Sequence, residues 1–281
     1  YTFGDEAPYA ATESANAIEL AKRSGAVLHH VSSVAVAGDH AGAYAESDFD
    51  LGQSFPTPYH RAAFDAEKLV RTADAIRWRI YRPSIIVGNS RTGEMDTAAG
   101  PYRVFTALSR LAGLPGNLPI ALTNLGSTNI VPVDYVAAAI VELVLCDGRS
   151  GDTFHLVNLK PQPLHQIYGA LAAAAGAPAA VVPVPGAVDV LPGVVPARRY
   201  ALQRLGIPPA VLESVTFRTR FSSTTTRTAL RRDRSITAPE FSTYAGALWQ
   251  YWRDELDPGR LRRTAGPDGF RGRVVLVTGA S

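Results

Sequence analysis

Three stretches of this 281-residue chain carry side chains that can manage a carbonyl group. The apolar run Ala26-Val27-Leu28-His29-His30-Val31 ends in Ser32-Ser33, and Tyr59 follows Pro58 where an amphipathic stretch begins. A second run, Trp78 to Tyr81, leads into Arg82-Pro83-Ser84-Ile85-Ile86-Val87-Gly88. A tyrosine hydroxyl can give a proton to a carbonyl oxygen as hydride arrives at the carbon, and a serine hydroxyl can hold the same oxygen. The chemistry gains from a lysine one helical turn past the tyrosine, whose charge lowers the tyrosine pKa. That position is Ala63. Lys68 does not replace it, because nine residues of helix turn it by about 900° to the opposite face and carry it about 13 Å along the axis.

The surrounding pattern supplies elements to hold these residues. Residues 9–25 place Ala, Ile and Leu at helical spacing and end in Lys22-Arg23-Ser24-Gly25, a cationic last turn before a helix-stopping glycine. The apolar run to Ser33 reads as a buried strand, 59–74 as a second helix and 78–83 as a second strand. Short extended segments at 120–122 and 130–133, a helix over 134–145, a strand over 153–157 and a helix over 164–175 continue the alternation. Helix and strand in turn predict a doubly wound parallel sheet. Both Ser33 and Tyr59 then fall near the carboxyl edge, where such sheets bind ligands. Residues 197–256 lose the alternation and read as mostly helical, with an aromatic helix over 244–252.

Composition narrows the partners. The hydrophobic fraction of 46% predicts a globular chain with one large core or two smaller ones. Cys146, the single cysteine, excludes an internal disulfide and fits a reducing, cytoplasmic setting. The longest apolar stretch, 170–195, is interrupted by Pro178, Pro183, Pro185 and Pro192, so no spanning helix or signal peptide is expected. From Arg198 onward there are 15 arginines against 7 acids, although the formal net charge is only +3. That asymmetry fits either a site for phosphates or an arginine-rich solvated surface. Ordered aromatic platforms among the basic residues are not evident, which argues against nucleic acid.

Taken in order, His30-Val-Ser-Ser-Val-Ala-Val-Ala-Gly38, Pro58-Tyr-His-Arg-Ala-Ala-Phe-Asp-Ala-Glu-Lys-Leu-Val70, Tyr81 to Gly88 and Thr92-Gly-Glu-Met-Asp96 resemble the extended short-chain dehydrogenase/reductases. Gly100-Pro-Tyr102, Val131-Pro-Val-Asp-Tyr135 and Phe154-His-Leu-Val-Asn158 extend the match, which covers roughly residues 10–260. Within that family the chain is most similar to bacterial fatty acyl-CoA and thioester reductase domains, including proteins with two reductase domains in tandem. The resemblance implies an α/β fold: a partial doubly wound Rossmann sheet with a smaller, mainly helical substrate subdomain. It implies a Rossmann part at about 1–88 and 126–160, and a substrate subdomain at about 89–125 and 161–260. It also implies catalytic roles for Ser33 and Tyr59, with Ser32, Pro83, Ser84, Ile85 and Ile86 against an NADPH cofactor. The expected substrate is an acyl-CoA or acyl-carrier thioester, giving aldehyde or alcohol. Ala63 departs from the family lysine, and residues 10–14 depart from its Asn-x-x-Gly-Thr pattern, so impaired activity is expected. Arg227, Arg231 and Arg232 are candidates for contacting the substrate's phosphates.

Residues 261–270 resemble a linker, and Val274-Val-Leu-Val-Thr-Gly-Ala-Ser281 reads as a strand entering a glycine turn. The first thirty residues hold only Gly4 and Gly25, not the glycine-rich turn that cradles a pyrophosphate. The chain is therefore expected to begin inside one domain, to end at the first strand of a second reductase domain, and to bind cofactor weakly by itself. Other readings stay open: a non-catalytic acyl-binding or scaffold domain beside an active second one, or an extended reductase or epimerase acting on another carbonyl substrate. Ser33 can be a strand-end hydrogen bonder and Tyr59 a half-buried helix-start aromatic. His29 and His30 have no ligand cluster around them, Asp134 is expected to cap the helix that follows it, and Trp249 and Trp252 are expected to pack.

Overall fold

A computed structural model describes residues 7–95, 103–113, 120–121, 126–146, 150–181, 218–230, 235–257 and 259. Helix α1 (Ala7–Ser24) leads to β1 (Val27–Val31), and a 3-10 turn (Val34–Ala37) to β2 (Gly42–Tyr44). Then come α2 (Pro58–Thr72), β3 (Arg77–Pro83), β4 (Ile85–Val87), α3 (Arg103–Leu111), β5 (Ile120–Ala121), β6 (Ser127–Thr128) and β7 (Ile130–Pro132). The chain continues through α4 (Val133–Leu145), β8 (Asp152–Leu156), β9 (Gln162–Pro163), α5 (Leu164–Ala175), β10 (Ala180–Val181) and β11 (Thr219–Phe221). Helices α6 (Thr224–Ala229) and α7 (Phe241–Tyr251) follow, with a π-helical segment at Trp252–Leu256.

β1, β3 and β8 form a parallel sheet in that order, with His30 opposite Ile80 and Ile80 opposite Thr153. Successive strand residues point to opposite faces, and β3 shows what each face meets. Ile80 packs with Ile18 of α1 and Val70 of α2, whereas Tyr81 packs with Tyr135, Val136, Ala139 and Leu143 of α4. Helices on both faces of a parallel sheet make the fold a doubly wound α/β one. Even the arginines of β3 obey the alternation. Arg79 turns to the α4 side and donates to the carbonyls of Leu143 and Cys146 at that helix's end, at 2.8 and 3.1 Å, while Arg82 turns toward α2.

A second cluster surrounds the β4–β7 pair. Val87, Phe105, Ile130, Leu171, Leu248 and Trp252 bring α3, α5 and α7 together there. Trp249 and Trp252 stack at 5.3 Å and meet Phe105 edge-on, so the aromatic stripe is packing, as expected. Gly93 closes the loop after β4 with φ of 75°, and a side chain there would collide with the Ala247 carbonyl of α7.

One sequence expectation fails, and one stretch holds an element that was not expected. Asp134 does not cap α4: Pro132 holds the cap position without a side-chain bond, and the Asp134 carboxylate accepts from the Ser90 amide and hydroxyl at 2.9 and 2.6 Å. It fastens the loop after β4 instead. The stretch read as mostly helical contains β11, which pairs in parallel with β2, Thr219 opposite Gly42. Arg231, Arg232, the 261–270 linker and the 274–281 strand lie outside the described residues.

Candidate functional site

Each strand of the parallel sheet ends in polar chain at the same edge. Ser32 and Ser33 follow β1, Ser84 follows β3 and Asn158 lies beyond β8. The Ser32 amide donates to the Tyr81 carbonyl at 2.7 Å and the Ser84 amide to the Leu156 carbonyl at 3.1 Å, so the ladder holds both serines in place.

Ser33 is in extended conformation and caps the 3-10 turn, its Oγ accepting from the Ala35 amide at 3.1 Å. That bond occupies a lone pair and leaves the hydroxyl proton to donate. The turn ends at Gly38, with φ of 55° and no space for a side chain against the Ser54 carbonyl. Val36 and Ala37 of the turn pack against Phe64 and Ala63 of α2. Through this contact, the element that Ser33 starts rests on the helix that carries Tyr59.

Pro58 at its first position and the Thr57 cap set the start of α2. Tyr59 is 38% exposed in the first turn. His60 turns inward beside it, 2.7 Å from the Thr57 hydroxyl, and burial pushes its pKa down. Ala63, one turn beyond Tyr59, sits half-buried against Val36, Ala37, Tyr44 and Phe64. Lys68 is exposed and lies 5.8 Å over the Phe64 ring, on the far side from Tyr59 as its spacing required.

The predicted cofactor residues divide in two. Ile86 is 40% exposed, whereas Pro83 and Ser84 are buried, and the Ser84 hydroxyl has no hydrogen-bond partner among the described residues. Ile85 leans into the second cluster. Ser32 spends its hydroxyl elsewhere, donating to Glu67 Oε2 at 2.6 Å.

That bond opens a network the sequence reading missed. Glu67, fully buried, accepts two bonds from Arg82 at 3.0 and 2.6 Å and one from Arg71 at 2.7 Å. Burial works against its charge, but the Arg82 bonds and charge, with Arg71 and Ser32, outweigh it and hold the carboxyl below its ordinary range. Arg82 also meets His155 Nε2 at 3.1 Å, and His155 Nδ1 lies 2.6 Å from the Ser222 carbonyl. A carbonyl only accepts, so Nδ1 carries the proton and Nε2 accepts from Arg82. Burial and the Arg82 charge lower the His155 pKa to about 4 and keep the ring neutral. Glu46 completes the network, accepting from the His155 amide at 3.2 Å and from the amide and hydroxyl of Thr226. Only the Glu67–Arg71 spacing, one helical turn, was legible beforehand.

A parallel sheet wound on both faces thus carries Ser33, the helix-start Tyr59 and the Ser84 hydroxyl near its carboxyl edge. Residues 9–140 match the family model described as Male sterility protein. No curated protein sequence matches the chain. Among solved structures, it is similar to the terminal R domain of the myxalamid PKS-NRPS pathway, at 24% identity and a TM-score of 0.62, over 83% of this chain and 59% of that one. The Aureusimine biosynthetic cluster reductase domain matches at 17% and 0.63, over 86% and 64%. The UDP-glucuronic acid 4-epimerase from Bacillus cereus, in complex with NAD, matches at 13% and 0.60, over 88% and 68%. These likenesses show the fold, and the chain spans 59% of the length of the first. Among the described residues no helix is long and apolar enough to cross a membrane, and no cluster of metal-ligating side chains occurs.

Proposed function

We propose that the chain is part of an NAD(P)H-dependent reductase of acyl thioesters, acyl-CoA or acyl-carrier bound, yielding aldehyde or alcohol from a site weakened at position 63. The observation that carries this reading is the packing of the Ser33 turn against the first turns of α2, next to Tyr59. The division into a Rossmann part at 1–88 and 126–160 and a substrate subdomain at 89–125 and 161–260 goes with it.

The nicotinamide end of the cofactor suits this edge: the exposed Ile86 offers an apolar surface, and the unpartnered Ser84 hydroxyl offers a hydrogen bond. When bound, the cofactor supplies hydride. Ser33 donates its free hydroxyl proton to the thioester oxygen and holds it while negative charge develops. Tyr59 delivers a proton to that oxygen as the carbonyl electrons move onto it, giving a hemithioacetal. Collapse restores C=O, breaks the C–S bond and releases aldehyde and thiol. Ala63 places no cation one turn beyond the tyrosine, where a lysine would ease proton delivery.

The test is acyl-CoA-dependent NADPH oxidation by the full-length protein with any second reductase domain inactivated. Ser33→Ala and Tyr59→Phe are each expected to lower kcat by at least about a hundredfold. Ala63 also supports a second reading, a domain that binds acyl groups without reducing them. Acyl-CoA binding without any turnover in the unmutated domain would favour it.

A further inference from the structure

A cavity of about 110 Å³ opens at the same sheet edge, lined by Ser127, Thr128, Asn129, Asn158, Arg220 and Phe221 among others. It lies beyond the end of β8, two strands across from Ser33 and so on the order of 10 Å away. Its rim is fastened: Asn129 Nδ2 donates to the Asn158 carbonyl at 2.9 Å, and the Asn158 amide donates back to Asn129 Oδ1 at 2.8 Å. Phe221 stands edge-on to His155 at 5.7 Å, which ties this wall to the buried network.

Two observations point to a ligand. Thr128 is 1% exposed, yet its hydroxyl finds no partner among the described residues. Buried hydroxyls are nearly always paired, and this unpaired one belongs to a residue that lines the cavity. The second observation is charge. Among the described residues no acid lines the cavity and the exposed Arg220 makes no ion pair, and exposed Lys160 sits in the loop between lining residues Leu159 and Pro161. The volume is that of about three or four waters, enough for a compact oxyanion and too little for an acyl chain.

We propose that this cavity binds the phosphate of a phosphate ester. Its oxygens take a guanidinium fork from Arg220, hydroxyl protons from Ser127 and Thr128, and a proton from the side-chain Nδ2 of Asn158. Resting on the thioester reading, the ester is the phosphopantetheine arm that presents the substrate. A dinucleotide is the other source of the same group, and the experiment separates them.

The full chain is titrated by calorimetry with inorganic phosphate, pantetheine 4′-phosphate, unphosphorylated pantetheine, acetate and NADP+. Both phosphate and pantetheine 4′-phosphate are expected to saturate with Kd of about 1 mM. Pantetheine and acetate are expected to bind at least about tenfold more weakly. Arg220→Gln removes the binding and Arg23→Gln, in the exposed last turn of α1, leaves it intact. Thr128→Val, checked for folding by circular dichroism, weakens it several-fold. Phosphate that fails to saturate, or binds Arg220→Gln equally well, overturns the proposal. Arg220-dependent binding of NADP+ but not of pantetheine 4′-phosphate overturns the assignment to the substrate arm. None of these readouts needs turnover, so an inactive domain that still binds phosphate refutes the reductase reading alone.

Discussion

The Ser32 hydroxyl donates a 2.6 Å hydrogen bond to Glu67 Oε2, joining the neighbour of Ser33 to the helix that carries Tyr59 in its first turn. Glu67 is in turn held by Arg82 of β3. Strand end, helix and central strand therefore share one carboxylate, and the relative placement of the two candidate catalytic groups depends on it. Replacing Glu67 with Gln leaves the fully buried Arg82 guanidinium without its counter-charge. The expected cost is about 3–5 kcal/mol, a large part of a domain's stability. Urea denaturation of the soluble variant checks it, and a loss below about 1 kcal/mol would mean that water or other groups satisfy Arg82.

Ala63→Lys is expected to raise thioester-dependent NADPH oxidation by at least about tenfold, about 1.4 kcal/mol of barrier. The lysine stem would lie along Val36, Ala37 and Phe64, with its ammonium emerging at their rim on the Tyr59 face. Tyr59→Phe in the same background should abolish the gain. A folded, cofactor-binding variant with an unchanged rate would favour the non-catalytic reading.

Stability should fall as pH drops from about 6.5 toward 4. His155 stays neutral when folded, with a pKa near 4, while the unfolded chain protonates it near 6.5, so the unfolded state binds more protons in that window. His29, His30 and His60 are lowered in the same direction by burial. Each group contributes a slope of up to about 1.4 kcal/mol per pH unit. Further down, the depressed pKa of Glu67 adds a second loss as the carboxylate is protonated. Denaturation midpoints measured at several pH values between 7.5 and 4.5 check the trend. A flat profile would show that the histidines are hydrated.

Thr128→Val should stabilise the empty protein by about 1 kcal/mol, because it replaces a buried, unpartnered hydroxyl by a methyl of the same shape. Thermal unfolding without phosphate reads this as a rise in Tm of a few degrees. A fall in Tm would show that the hydroxyl is already paired.

Local signals made much of the scaffold legible. Helix α5 spans the expected 164–175 because an apolar run meets Gly176, which takes the left-handed φ of 68° that ends a helix. The positions of Ser33 after a strand and Tyr59 at a proline-started helix were equally readable. Arg82 was not: an arginine in a strand ordinarily implies an exposed edge, and only its pairing with Glu67 and His155 permits complete burial. The role of Asp134 was hidden for a related reason, since its position at a helix start suggested capping while its partner, Ser90, is 44 positions away.

The pairing of β2 with β11 also sets an order of events during synthesis. Thr219 donates to the His40 carbonyl, and Thr225 to Glu46, each across 179 positions. Until the ribosome has released the chain beyond Thr226, the Glu46 carboxylate has none of these donors, and His155 has no Ser222 carbonyl to hold its proton. Helices α1 and α2 can pack on the early strands much sooner, whereas the polar heart of the domain must wait for one of its last-made segments. Such distant closure predicts slow folding and a long-lived intermediate whose final step is the arrival of β11.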